Sequence, residues 1–261
     1  MDHAAFDALV RPALPALESF VRRMVGDAEE TRDLVQDTLL RAYEASDGFR
    51  GDSSFKTWLF AIATRRCLDH LRARRRWSPL LQEEGRKALY AELGADGVRA
   101  QLLGGESYRF DAREHIAFCF SCVGRSLDPE EQAALMLSEV FELADREASR
   151  ALGLSESTYR HRLAAARAAM HEGFEGLCGL VSKRGVCWQC KGLRMQAPEA
   201  ARGPELPPLG DESTGADDKR RLRLAVVRDG DMHAGVMQPF HDRLWRALER
   251  FAAAQPRDGA G

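Results

Sequence analysis

Asp145 to Met170 reads DREASRALGLSESTYRHRLAAARAAM, two helices joined by a turn short enough to set their crossing. Glu147 to Leu152 is a short helical run, and Gly153 offers the left-handed position that ends it without a Cβ penalty. Leu154 then turns back towards a core, Ser155 is an N-cap, and Glu156 opens a second helix at its positive end. Small Ser149 allows close approach, and Leu152, Leu154, Tyr159 and Leu163 have the spacing to fill the angle between the helices. Ser157, Arg160, His161 and Arg167 are left to face outward, which suits a helix lying in a DNA major groove. An ordinary helical hairpin with a solvated basic face has the same pattern.

Outward from this stretch, 261 residues allow one large or two small domains with real cores. The formal net charge of −2 gives the whole molecule no polyanion-binding signature, so nucleic-acid contact must come from local patches. Charge is segregated accordingly: Arg65 to Arg76 (RRCLDHLRARRR) packs six arginines around one aspartate, whereas Asp128 to Glu147 is mostly acidic. No apolar run approaches the roughly 18 residues of a membrane span, and MDHAAFDALV has no signal-peptide pattern. A cytoplasmic location without membrane contact is expected. Six cysteines in such a chain point to metal or redox chemistry more than to a disulfide framework.

Towards the N-terminus, Phe6, Leu9, Val10, Leu14, Leu17, Val21 and Met24 keep a helical period, which predicts one helix over Ala5 to Val25 bent by Pro12 and Pro15. Asp27 and Glu30 have capping-box form and start a helix to about Ala45. Leu34, Val35, Thr38, Leu39 and Tyr43 are its inward set, and Asp33, Gln36, Asp37 and Arg41 lie on other faces, free for a partner. After the loop SDGFRGDSS (Ser46 to Ser54), Phe55, Trp58, Leu59 and Ile62 repeat at helical spacing. Phe49, Arg50 and Lys56, beside Trp58 and ahead of the arginine cluster, supply stacking surface and phosphate contacts, the two needs of single-strand binding. The period of Trp58 also suits a core residue, and Arg66 falls on the apolar stripe, so it must snorkel or meet an anion.

Asp33-Leu-Val-Gln-Asp, FRGDSSFKTWLFAIATRR followed by CLDHLRARRR, and the later helix-turn-helix resemble regions 2 and 4 of bacterial extracytoplasmic-function sigma factors. The resemblance covers roughly Leu14 to Trp77 and Ala112 to Phe174, in the family's order. It implies an all-α fold: a region 2 helical bundle (1–77), a linker (78–110) and a region 4 helix-turn-helix (111–176). After these, 177–261 would be a Cys-containing regulatory extension. It further implies docking on the RNA polymerase core through Asp33, Gln36, Asp37 and Arg41. Melted minus-ten DNA would be held by Arg50, Ser53, Lys56, Arg65, Arg66 and Arg72. Duplex minus-thirty-five DNA would meet Ser155, Ser157, Thr158, Arg160, His161 and Arg167. Many family members carry Asn where this chain has Arg65 and Gly at Ser157, so promoter preference does not carry over. An anti-sigma factor is a further partner of the kind the family uses.

Trp77 to Phe110, with Pro79, several glycines and weak periodicity, reads as the linker, with one short helix around Leu81 to Leu93. His115, Cys119 and Cys122 share a helix face by their spacings of four and three. HxxxCxxC also occurs in zinc-binding anti-sigma domains, and Cys178, Cys187 or Cys190 could add a ligand. Two readings stand: a structural or sensory zinc or thiol site on His115, Cys119, Cys122, Cys187 and Cys190, or small buried hydrophobes. No cofactor is required by the pattern. Ala197 to Lys219 reads as a flexible linker. Arg221 to Arg228 (RLRLAVVR) reads as a single strand and Gln238 to Ala254 as an amphipathic helix, together able to mask a DNA or polymerase surface. The function expected is a sigma factor and not an enzyme. The rivals are a stand-alone helix-turn-helix regulator and a metal or thiol sensor on a sigma-like fold.

Overall fold

Proline decides the first turn. In the structure, a computed structural model, the expected helix from Ala5 to Val25 is two: α1 (His3–Val10) ends before Pro12, and α2 (Leu14–Val25) carries Pro15 in its first turn, where a missing N–H costs nothing. The structure describes residues 1–74, 76–103, 108–177, 189–204, 213–230 and 232–255.

Asp27 caps α3 (Ala28–Glu44) by accepting from the N–H groups of Glu29 and Glu30 at 2.8 and 3.1 Å. The helix buries Leu34, Val35, Thr38 and Ala42. Tyr43, expected inward, is 41% exposed and rests edge-on against Phe6. Ser54 caps α4 (Phe55–Arg72), whose apolar stripe of Leu59, Phe60, Ala63 and Cys67 is fully buried. The helix in the linker is longer than its weak period suggested: α5 (Leu81–Val98) runs on through a break at Gly94 (φ 65°) into a π-turn at Arg99–Leu103.

The second block begins at α6 (Ala112–Gly124), capped by Asp111, and α7 (Pro129–Leu135), which opens on a capping box between Asp128 and Glu131. A π-turn at Met136–Val140 leads to α8 (Asp145–Leu152) and α9 (Glu156–Leu177). Gly153 between them sits at φ 69°, the left-handed stop read from the sequence. Then follow α10 (Gln189–Gln196), α11 (Ala216–Asp229) and α12 (Gln238–Ala254).

Arg221 to Arg228 is therefore not a strand: it is the body of α11. Asp217 and Asp218 sit in that helix's first turn, and the buried Arg223, Leu224 and Val227 fall on one helical face. Ala216 to Lys219, expected in the linker, belongs to the same helix, and 205–212 of that linker lie outside the described residues. All the regular elements among the described residues are helical, the one exception being an isolated bridge between Phe110 and Arg202. No described helix is long and apolar enough to cross a membrane.

One continuous core joins the two blocks. Phe20 of α2, Phe60 of α4 and Phe141, just after the second π-turn, meet with ring centroids 5.1–5.5 Å apart, an arrangement that aromatic quadrupoles favour. Helix α8 lies against α4 with Ala148, Ser149 and Ala151 as its buried face, small side chains that let the backbones approach.

The extension is fastened across both blocks. Arg22 and Arg23 are almost wholly buried at the end of α2, and both reach partners more than two hundred residues along the chain. Arg22 pairs with Asp242 at 2.6 Å, and Arg23 donates to the carbonyls of Val227 and Gly230, both at 2.8 Å. Arg246 holds Asp27 at 2.5 Å, while Trp245 lies on Trp77 with centroids 4.6 Å apart. On the region 4 side, Arg220 reaches the buried Glu139 at 2.9 Å and Arg228 donates to the Glu139 carbonyl at 2.7 Å.

Candidate nucleic-acid and polymerase interface

The helix-turn-helix is built as its sequence suggested. Tyr159, Leu163, Ala166 and Met170 are the buried edge of α9, and the Tyr159 hydroxyl donates to the Ala134 carbonyl at 3.4 Å. Ser155 accepts from the N–H of Thr158 at 3.1 Å, which closes the first turn. Ser155, Ser157, Thr158, Arg160 and His161 are then exposed together at the start of α9, where the helix N-terminus and two basic side chains favour phosphate and base-edge contact. Arg167 is placed differently. Its guanidinium is half-buried and bonds Glu139 at 2.5 Å, two turns from that patch.

In the first block, Phe49 packs on Trp58 and Phe55 (centroids 5.3 and 5.5 Å), so the loop aromatic and the helix tryptophan form one half-buried cluster. Arg50, Lys56 and Arg65 are exposed and Ser53 is half-buried beside them. Arg66, the arginine on the apolar stripe, does meet an anion: Asp37 lies 2.5 Å away. That contact joins the expected DNA face of α4 to the expected polymerase face of α3, where Asp33, Gln36 and Arg41 are exposed and Arg41 also bonds Asp37, at 3.1 Å. Burial alone would raise the Asp37 carboxyl, but hydrogen bonds from Arg66 and Arg41 hold it below the usual carboxylate range.

Three acidic side chains of the second block were not singled out in the sequence, yet they meet side chains of α4, α9 and α11, among them Arg72 and Arg167 of the expected DNA set. Glu130 lies 2.9 Å from Arg72 of α4 and 3.3 Å from Arg162 of α9. Glu147 accepts from the Thr57 hydroxyl of α4 at 2.8 Å, and Glu139 gathers Arg167 and Arg220. The acidic run from Asp128 to Glu147 was the available signal; what the sequence lacked was the pairing of the two blocks that brings it onto the arginines.

The metal-ligand candidates divide. His115 is fully buried, with Nε2 3.8 Å from Cys119 Sγ and Nδ1 3.4 Å from His241 Nε2. Cys122 is buried in the separate cluster of Trp77, Phe118 and Trp245, and burial pushes its thiol well above the ordinary cysteine range. Cys190 is half-buried, packed beside the first core and the cluster that holds Tyr108. Cys187 and Cys178 lie outside the described residues, and among those described no three His, Cys, Asp or Glu side chains converge on one centre.

Comparison with known proteins gives this geometry its relatives. Residues 9–77 match the family model for Sigma-70 region 2, and residues 120–170 that for Sigma-70 region 4. The ECF RNA polymerase sigma factor SigG of Mycobacterium tuberculosis is 32% identical over 178 residues, 63% of this chain and 47% of that protein; the chain thus spans about half of that relative's length. The RNA polymerase sigma-H factor of Pseudomonas aeruginosa is 30% identical over 67% of this chain and 89% of its own. Among solved structures, the sigma factor RpoE of Bartonella quintana, in complex with the anti-sigma factor NepR, is similar at 23% identity and a TM-score of 0.45, over 66% of this chain and 97% of that one. The ECF RNA polymerase sigma-E factor of Escherichia coli is matched over 86% of its length at 30% identity, and with both regions present in order the chain belongs to the extracytoplasmic-function sigma factors.

Proposed function

We propose that the chain is a promoter-specificity subunit that binds the RNA polymerase core and directs initiation, with no reaction of its own, acting in the cytoplasm beside the polymerase. The observation that carries this is the pair of surfaces, in family order, on one molecule: the exposed N-terminal turn of α9, and the aromatic loop with Arg50, Lys56 and Arg65 at α4. Residues 1–77 and 111–176 would be the two working modules and 78–110 their linker. Asp33, Gln36, Asp37 and Arg41 would dock polymerase, and Arg50, Ser53, Lys56, Arg65, Arg66 and Arg72 would hold the opened strand. The α9 set from Ser155 to His161 would read duplex, with Arg167 kept apart from it by its bond to Glu139. In this reading 177–261 regulates, since α11 and α12 clasp both modules, and Glu130 of α7 holds Arg72 where a DNA phosphate would stand. A separate anti-sigma factor remains compatible with the exposed face of α3. Run-off transcription with purified core polymerase and genomic fragments tests the proposal; promoter-specific duplex binding without polymerase, and no discrete start with it, would favour the stand-alone regulator.

A second reading concerns the cysteines. Cys119 close to His115, whose other ring nitrogen faces His241, is the pattern of a ligand with a supporting partner, and N/S donors suit zinc. We take it as a structural or sensory zinc or thiol site. Zinc per chain should fall in Cys119→Ser combined with Cys187→Ser; unchanged zinc returns those cysteines to packing.

A further inference from the structure

Helix α12 carries a different task on each side. Asp242 and Arg246 hold Arg22 of α2 and Asp27 at the start of α3, and Trp245 packs on Trp77 from the segment between α4 and α5. Phe240, Leu244 and Leu248 instead wall a cavity of about 210 Å³ that opens to solvent, faced by Leu89, Val98 and Leu102 of α5 and its π-turn and by Leu193 of α10. The break at Gly94 turns the end of α5 back towards α12, and Arg243 donates to the Leu102 carbonyl at 2.8 Å, so the opposing walls are tied together. Phe118 lines the cavity and also stacks on His241 at 4.2 Å and edge-on against Trp245 at 6.0 Å. One ring thus touches both the cavity and the clasp.

Arg86, Asp96 and Arg99 line the same space, with Asp96 and Arg99 exposed to solvent. The rim thus offers two guanidinium groups, of which Arg99 is the exposed one, with the Asp96 carboxylate beside them. The space opens to solvent at this rim while its walls are mostly apolar, the form of a small-molecule site, and a void somewhat smaller suffices for an aromatic ring. We infer that this cavity binds a small amphipathic carboxylate, with an apolar body of roughly eight carbons inside and its anionic head at Arg86 and Arg99. The inference rests on the proposed regulation by the extension and names its effector class. Because the ligand must touch both α5 and α12, it binds the docked arrangement and strengthens the clasp. Start-site yield should fall as it is added.

Sodium octanoate is the probe, with 1-octanol as its neutral counterpart, on the full chain by calorimetry and thermal unfolding. One octanoate should bind per chain and raise Tm by roughly 5–10 °C at a hundredfold excess over Kd. Arg99→Gln, an exposed position, should weaken octanoate roughly threefold to tenfold and leave octanol unchanged. Val98→Phe, which fills the cavity, should abolish both; Leu193→Phe on the neighbouring wall repeats the test if that variant fails to fold. Absence of saturable binding by either probe, or undiminished binding in both filled variants, overturns the site. Octanol binding without octanoate, or an Arg99→Gln variant that binds octanoate as before, overturns the carboxylate assignment. Octanoate binding by a chain that starts no transcription in any state would sink the sigma-factor proposal and leave the cavity site standing.

Discussion

Gly26 holds φ at +75°, and Trp245 presses so closely on it that a Cβ there would stand 2.2 Å from the indole. Gly26→Ala combines left-handed strain with displacement of that ring, and is expected to cost about 2–5 kcal/mol and to free α12; an unchanged Tm with unchanged protection of α12 from protease contradicts this. Arg160 and Arg167, alike in the sequence, separate in the structure. Arg160→Ala should weaken promoter binding, lower its salt slope by about one and spare stability. Arg167→Ala should instead lower stability, because it pairs with the buried Glu139; equal behaviour of the two in salt titrations would place both on the DNA. Burial pushes the Cys67 thiol up to about 12, so Cys67 should resist alkylation in the native chain at neutral pH and react on unfolding, as mass spectrometry can follow. The buried Tyr159, the left-handed Gly153 and the Asp27 cap were legible because each is set by neighbours within a turn. The partners of Arg22, Arg23 and Arg66 were not, since these side chains meet acids or carbonyls from distant segments. Two consecutive arginines in the apolar last turns of α2, and an arginine on the apolar stripe of α4, were the traces of them.

At the scale of elements, α12 is held by a titrating link. Burial would raise the Asp27 carboxyl, but the Arg246 hydrogen bond and the N–H groups of Glu30 and Glu29 win and hold it below the ordinary range. A carboxyl with a depressed folded pKa adds stability that is present above its unfolded value of about 4 and is lost as pH falls through the folded one. The clasp should therefore be intact at neutral pH and loosen in acid below about pH 4, with Asp27→Asn flattening that limb of the stability curve. Between α7, α4 and α9, Glu130→Gln removes the carboxylate shared by Arg72 and Arg162. Stability should change by less than about 1 kcal/mol, since both pairs are part-exposed, while affinity for promoter DNA rises; unchanged affinity would mean that the contact masks nothing. Most helices were readable from their period and caps. The region from Arg221 to Arg228 was not, because a short run with alternate apolar residues fits either period until something covers it. Leu224 and Val227 find cover as a helix, whereas a lone strand would have had no neighbour to bond.

For the whole molecule, sequence and resemblance pointed to two modules and an extension, but not to one core shared by both blocks and spanned by the C-terminal helices. That arrangement depends on contacts between segments far apart in the chain, which no local pattern encodes. Under the proposed function, Arg66, Arg72 and Arg167 are engaged internally by Asp37, Glu130 and Glu139 while Arg50, Lys56, Arg65 and Arg160 stay exposed, and polymerase and promoter would have to outcompete those bonds together with the clasp. The most direct measurement is run-off transcription by purified core polymerase with the full chain and with its Trp245→Ala, Arg246→Gln variant. The account predicts discrete start sites that depend on added chain, with a severalfold higher yield from the variant whose clasp is loosened. No discrete start from either protein on any genomic fragment would contradict it.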